Sequence, residues 1–131
     1  MIKIAIIGDP FIPSKTFKLS LTKHLKTINP KIKFSLLTKD LKEKNLKPFV
    51  SNEISEAFGN PDDVIKFAKN SNVLITTFAP ITSKVINNCK NLLLIACGRG
   101  GPINVNINAA TNKQIMVLYA PGRNIDAVVE Y

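Results

Sequence analysis

The chain carries two arginines against sixteen lysines, and both arginines stand in short glycine- or proline-flanked turns. Arg99 lies in Cys97-Gly98-Arg99-Gly100-Gly101-Pro102, and Arg123 in Ala120-Pro121-Gly122-Arg123-Asn124. A guanidinium is a planar fork that grips a carboxylate or phosphate at two points, which a lysine ammonium cannot copy. Three glycines in the four residues from Gly98 let a backbone adopt unusual angles, approach a ligand closely and aim N–H groups at it. These types in this order suit a small anion. The competing reading is a flexible turn with a solvated arginine. At Arg123 the simple turn and cap is the stronger reading, although a helix start there also suits an anion.

Other chemistry-bearing residues are sparse. The Gly98 run is not a dinucleotide fingerprint, because Ile103 stands where G-x-G-x-x-G needs its third glycine and Pro102 follows the pair. The single histidine, His24, lies between Lys23 and Lys26 on an expected solvent face, with no partner for a catalytic base. Asp9, before Pro10, reads as a turn residue, and Thr76, Thr77 and Thr82 read as turn and capping hydroxyls. Cys89 and Cys97 have neither metal-motif spacing nor a disulfide framework, so both are expected to be reduced and packed. No carboxylate pair, metal cluster or nucleophile–base pair is visible.

Composition narrows the class. The chain has 131 residues, 45% hydrophobic and 21% charged, as expected for one globular domain. No apolar run is long enough to cross a bilayer. The apolar start Ile2–Ile7 is too short for a signal-peptide core and reads as a buried strand of a cytoplasmic protein. The net charge is +9. Its lysines are spread along the chain without aromatic interleaving, which describes a solvated coat rather than a nucleic-acid face.

The elements that must position the turns alternate in type. Strands are expected at Ile2–Ile7, Ile32–Leu37, Val73–Thr77, Leu92–Ala96 and Ile115–Leu118. A helix capped by Ser14 or Thr16 runs to Thr27, with Phe17, Leu21 and Leu25 at helical period. Thr38–Val50 reads as loop with at most one helical turn. A short helix is expected from Ser51 or Asn52 to Phe58, stopped by Gly59. Pro61-Asp62-Asp63 begins another, to Lys69. Two more run from Thr82 or Ser83 to Cys89 and from Asn106 to Lys113, and a last begins at Asn124 or Asp126. This is an α/β chain with a five-stranded parallel sheet and helices on both faces. Ligands in such sheets gather at the carboxyl ends of the strands, where both arginine turns fall.

One stretch resembles a known family. Val73–Tyr131 contains, in order, Ile81-Thr82, Asn91-Leu92, Asn104-Val105-Asn106, Ala109-Ala110-Thr111, Pro121-Gly122-Arg123-Asn124 and Val128-Val129-Glu130. This series resembles the D-isomer-specific 2-hydroxyacid dehydrogenases, which include D-3-phosphoglycerate dehydrogenase. The first 70 residues match in architecture alone. The form Arg99-Gly100-Gly101-Pro102-x-Asn104-Val105 looks like one subgroup, while Thr76–Pro80 departs from the basic or serine-bearing segment common in the family.

The resemblance implies a flavodoxin-like substrate-binding domain over residues 1–123. Residues 124–131 would begin the helix leading into an NAD-binding domain outside this sequence. Backbone amides of the Gly-rich loop would hold a substrate carboxylate, which carries to Arg99, Gly100 and Gly101, and more weakly to Thr77 and Phe78. Arg123 and Asn124 would lie at the hinge and cleft. The family's G-x-G-x-x-G loop and its catalytic Arg, Glu and His have no counterpart here, so no catalytic, cofactor-binding or metal residue is expected in this chain. The implied whole is an NAD- or NADP-dependent dehydrogenase of a D-2-hydroxy acid, phosphorylated or not. Its partners would be the 2-hydroxy or 2-oxo acid, the NAD-binding domain and a second copy in a homodimer, with no nucleic acid and no membrane. Alone, this part should hold substrate without turning it over. The alternative is a stand-alone flavodoxin-like domain that senses an anionic metabolite.

Overall fold

The computed structural model describes residues 1–120. The expected turn and hinge residues Arg123 and Asn124, and the helix expected after them, lie outside the described residues. Strand β1 (Ile2–Gly8) leads to helix α1 (Ser14–Ile28) and strand β2 (Phe34–Asp40). A 3-10 turn at Glu43–Asn45 precedes a two-residue hairpin, β3 (Pro48–Phe49) and β4 (Ala57–Phe58). Helix α2 (Pro61–Ala68), β5 (Val73–Thr76), α3 (Ser83–Asn88), β6 (Leu94–Cys97), α4 (Ile107–Asn112) and β7 (Met116–Tyr119) follow.

The main sheet has five strands in the order β2-β1-β5-β6-β7, and every pairing in it is parallel. This is the flavodoxin-like order, which switches direction between β1 and β5. Period-two alternation sorts the central strands onto two faces. Ala5 and Ile7 of β1, Leu74 of β5 and Ile95 and Cys97 of β6 pack with Val64 of α2, Val85 of α3 and Ala110 of α4. Ile4 and Ile6 of β1 and Ile75 of β5 face the other way, against Phe17, Leu21 and Leu25 of α1. Both faces of β1 are therefore dry, which explains its unbroken apolar run. The edge strand β7 leaves Met116, Leu118 and Tyr119 exposed.

The β1–α1 connection is fixed by close approach. The Asp40 carboxylate, at the end of β2, accepts from the Ser14 N–H at 2.7 Å and from the Ser14 hydroxyl at 2.7 Å. This replaces the cap expected from Ser14 or Thr16; the N-cap residue is Pro13, which has no side-chain cap bond. Gly8 lies under this contact. A Cβ there would stand 2.1 Å from the Ser14 nitrogen and 2.4 Å from Asp40 Oδ1. Asp9 is a turn residue as expected, with Oδ1 accepting from the Phe11 and Ile12 N–H groups.

Three other expectations are corrected. No helix forms over Ser51–Phe58; the segment enters β4, with Glu56 at φ +50. Its backbone is claimed by distant partners, since Ser55 N–H donates to Ile103 O and Phe58 N–H to Phe78 O, both at 2.8 Å. Thr38–Val50 holds the one helical turn expected, at Glu43–Asn45, but its ends are strand, because β2 continues through Asp40 and β3 forms at Pro48–Phe49. The glycines of the Arg99 loop do not use the left-handed region; among the described glycines only Gly59 does, at φ +107.

These contacts separate two kinds of glycine. Gly8→Ala should cost about 3 kcal/mol or more, because the obstructing atom is backbone and cannot step aside. Nothing lies within 4 Å of a Cβ built on Gly101, so Gly101→Ala should stay within about 0.5 kcal/mol. Urea denaturation of both variants checks the pair. Equal losses would mean that the close approach at Gly8 is absent.

Candidate functional site

At the carboxyl edge, aromatic rings from three segments meet beside the switch point between β1 and β5. Phe78, directly after β5, meets Phe11 of the β1–α1 loop and Phe58 of β4 edge-on, with centroids at 6.0 and 5.7 Å. The Arg99 guanidinium lies over the Phe78 ring, 4.9 Å from its centroid. A cation over a ring face is attracted by its quadrupole, more strongly as water is removed. Arg99 is only 16% exposed at its side chain. It is thus not the solvated arginine of the competing reading.

Arg99 has a partner that sequence inspection did not find. Its NH1 donates to the Glu56 carbonyl at 2.9 Å and its NH2 to Glu56 Oε2 at 2.7 Å. Glu56 itself is 65% exposed. Its signal was hidden because residue 56 was expected on a helix, and the pair spans 43 positions of sequence. Two bonds leave further donors of the five on a guanidinium.

The loop beside Arg99 combines one packed glycine with two open ones. A Cβ on Gly98 would sit 3.0 Å from Thr77 Oγ1 and 3.1 Å from Phe17, so that glycine is needed for packing. Gly100 is exposed and Gly101 half-buried. Neither backbone N–H finds an acceptor among the described residues. Thr77 is buried, and its hydroxyl has no hydrogen-bond partner among the described residues. Its side chain is enclosed rather than presented at the edge, whereas Phe78 is half-buried and forms part of the aromatic cluster. Arg99, Gly100, Gly101, Thr77 and Phe78 thus share one sheet edge.

Buried polar groups hold this edge together. Asn104 is fully buried; its Nδ2 donates to Ala79 O at 2.9 Å, and Cys97 Sγ donates to its Oδ1 at 3.3 Å. Ile81 N–H donates to Asn104 O, and Asn106 N–H returns to Ile81 O. Thr82 caps α3 through Val85 N–H, and Thr76 Oγ1 accepts from Ala79 N–H, the capping and turn roles expected of these threonines. Glu53 Oε1 ties two helix starts, accepting from Ser83 N–H at 2.8 Å and Asn106 Nδ2 at 2.7 Å.

His24 is exposed on α1. Both cysteines are free and buried, and burial pushes both thiols up. At Cys97 the Arg99 N–H and charge and the Asn104 side chain oppose this without reversing it. Among the described residues no group of His, Cys, Asp and Glu is placed to hold a metal, and no helix is long and apolar enough to cross a membrane.

A five-stranded parallel sheet in flavodoxin-like order, with a glycine–arginine loop after β6 at its carboxyl edge, places the chain among α/β domains. Residues 35–131 match the model of the D-isomer specific 2-hydroxyacid dehydrogenase catalytic domain, and the chain belongs to that family. The match begins well before Val73, so more of the first half carries the family pattern than inspection suggested. A stretch of 71 residues is 38% identical to YoaD of Bacillus subtilis (strain 168), which bears the name of a 2-hydroxyacid dehydrogenase; it covers 53% of this chain and 21% of that protein. The fold resembles 3-phosphoglycerate dehydrogenase of Entamoeba histolytica, solved with NAD+ bound, with a TM-score of 0.64 and 22% identity over 98% of this chain and 36% of that one. It also resembles NAD-dependent formate dehydrogenase of Staphylococcus aureus in complex with NAD, with a TM-score of 0.62 and 20% identity over 98% of this chain and 34% of that one. The chain therefore spans about a third of the length of these solved structures and about a fifth of YoaD.

Two measurements check the electrostatics. The Ser83 N–H and then the Asn106 amide hold Glu53 below its ordinary pKa of 4.5. A depressed carboxyl stabilises the fold above its unfolded pKa and loses that contribution as pH falls through its folded value. The contribution is complete at neutral pH and fades below about pH 4.5. Glu53→Gln keeps an acceptor oxygen without the charge, so the variant should lose less stability on acidification than the parent. Identical acid limbs in urea titrations would exclude Glu53. The raised, buried thiols should react with iodoacetamide only after denaturant opens the fold, and fast modification of the native chain would contradict their packing.

Proposed function

We propose that this chain is the substrate-binding part of an NAD- or NADP-dependent dehydrogenase acting on a D-2-hydroxy acid. The carboxyl edge of the sheet would hold the acid's carboxylate. Arg99 would pair with it, and the N–H groups of Gly100 and Gly101 would donate to it. Phe78 would line the acid's other side with Thr77 enclosed behind it, and Arg123 and Asn124 would lie at the hinge. The reading is supported above all by Arg99: a guanidinium drawn out of water onto an aromatic ring, close in sequence to Gly101, which has open space where a side chain would stand.

The chemistry asks for such a grip. Oxidation at C2 removes the hydroxyl proton and passes the C2 hydride to the nicotinamide. The acid must be held so that C2 faces the cofactor, and two-point binding of the carboxylate fixes that orientation. A partly desolvated guanidinium also holds an anion more strongly than an exposed one. The sequence contains no G-x-G-x-x-G loop, so dinucleotide binding and hydride transfer would belong to a partner domain. The bound dinucleotides of the two solved relatives are consistent with such a division.

Glu56 would then occupy the arginine when substrate is absent. Its exposed carboxylate is a weak competitor, since exposed pairs contribute about 1 kcal/mol or less.

In a protein joined to its NAD-binding domain, Arg99→Ala should lower kcat/KM about tenfold or more, the loss of a charge-assisted bond. Gly101→Ala should lower it as well while leaving stability intact. Glu56→Gln should improve binding of a 2-oxo acid by up to about fivefold, the scale of an exposed pair. Residues 1–131 alone should not reduce NAD with any 2-hydroxy acid. An unchanged kcat/KM in Arg99→Ala would remove that residue from the site, and enzyme-like turnover by residues 1–131 would overturn the division of labour.

A further inference from the structure

A cavity of about 410 Å³ opens beside the β3–β4 hairpin, away from the Arg99 loop. None of Thr77, Phe78, Arg99, Gly100 and Gly101 lines it. Its apolar wall includes Leu41, Phe49 and Phe58, and its rim carries Lys39, Lys44 and Lys47. The volume falls within the range of small-molecule sites, and an apolar wall with a few convergent charges is their usual composition.

The charges are arranged to accept an anion. Two carboxylates, Asp40 and Asp63, also line the cavity, against three ammonium groups. Asp40 is committed to Ser14 through both of its oxygens. The ion pairs among the described residues are Lys84–Asp62 and Arg99–Glu56, so none of the three rim lysines is neutralised by a carboxylate. The N-terminal N–H groups of α2 do not contribute, because Asn60 takes those of Asp62, Asp63 and Val64.

The walls are held by backbone bonds rather than by the lysines. Leu41 N–H donates to Gly8 O at 2.9 Å and Gly59 N–H to Lys47 O at 3.0 Å, while β3 pairs with β4 through Phe49 and Ala57. Substituting the rim should therefore leave the cavity in shape.

We propose that this cavity binds a phosphomonoester with a ring-sized apolar body. The body lies on Leu41, Phe49 and Phe58, and the phosphate is held by Lys39, Lys44 and Lys47. The three ammonium groups outnumber the two carboxylates, Asp40 and Asp63, which keep their charges, so the lining favours an anion over a cation. A body of one ring matches the two phenylalanines of the wall. The cavity shares Phe58 with the aromatic cluster under Arg99 but includes none of the residues proposed to hold the carboxylate, so it stands whether or not that reading holds.

Phenyl phosphate titrated into isotope-labelled residues 1–131 tests it by NMR. Amide shifts should concentrate at Leu41, Lys44, Lys47, Phe49 and Phe58. Inorganic phosphate, which lacks the body, and phenol, which lacks the head, should both bind more weakly. The double variant Lys44→Gln, Lys47→Gln should weaken phenyl phosphate about tenfold, the scale of lost charge-assisted bonds, with unchanged thermal stability. Lys15→Gln, Lys23→Gln on α1 should leave affinity as it was. Shifts scattered over the lysine coat, shifts confined to residues 98–101, equal affinity for inorganic phosphate, or an unaffected double variant would each overturn the proposal. Absence of binding at millimolar phenyl phosphate would overturn it too.

Discussion

Buried backbone polar groups must be paired, and the carboxyl edge of this sheet meets that requirement through Asn104. Two irregular segments run side by side there, one after β5 and one after β6, and neither belongs to a ladder. The Asn104 amide donates to Ala79 O in the first segment and accepts from Cys97 in the second. Its backbone O takes the Ile81 N–H, and the Ile81–Val105 bridge continues the stitch. A buried amide left unpaired costs a few kcal/mol, so these bonds are mutually obligatory. Phe78 and Arg99 lie at the ends of the segments that Asn104 joins. Their geometry is inherited from it.

Within that frame, desolvation decides what Arg99 is. Sixteen lysines and two arginines give the chain its charge of +9, but most of that charge is in water, where attraction at 4 Å is about 1 kcal/mol. Arg99 rests on Phe78 at 16% exposure, while its partner Glu56 is 65% exposed, which keeps their pair weak. Glu56 offsets the cost of placing the cation there. It does so from an exposed position with φ +50, a conformation that costs a non-glycine residue about 1 kcal/mol or more. An internal counter-charge that is weakly held and backbone-strained can be exchanged for an external one.

Much of the fold was legible from residue pattern. Ile2–Ile7, Val73–Thr77 and Pro61–Lys69 are apolar or capped strongly enough that local signals agree with packing, and each forms within two residues of expectation. The strands after Asn29 and Asn91 begin later than apolar content suggests, because Ile32 and Leu92 are used in the turns that lead in. Residues 51–58 misled for a physical reason. Ile54 and Ala57 are buried with helical spacing, yet the backbone bonds of Ser55 and Phe58 run to Ile103 and Phe78, tens of residues away. No local period encodes such partners. The site divides in the same way. Arginine scarcity and glycine density drew attention to the loop. Its counter-charge, its aromatic bed and the buried amide behind it depend on contacts across the sheet.

The glycines show why composition alone misassigns cause. All three in the loop were read as allowing unusual backbone angles and close approach to a ligand, and none adopts a left-handed φ. Gly98 is required because Thr77 and Phe17 leave no room for a methyl group. Gly101 has open space above it, so neither packing nor backbone angle accounts for its lack of a side chain. A methyl group there would meet nothing within 4 Å among the described residues. What remains is approach from outside: a small residue at the sheet edge lets a bound molecule reach the backbone N–H groups. The same reasoning separates the two positive regions of the edge. At Arg99 one largely buried charge lies on an aromatic ring beside a glycine loop, the arrangement on which the proposed carboxylate site rests. At Lys39, Lys44 and Lys47 the charges are mobile and solvated around an apolar wall, which favours a larger anion held chiefly by its body.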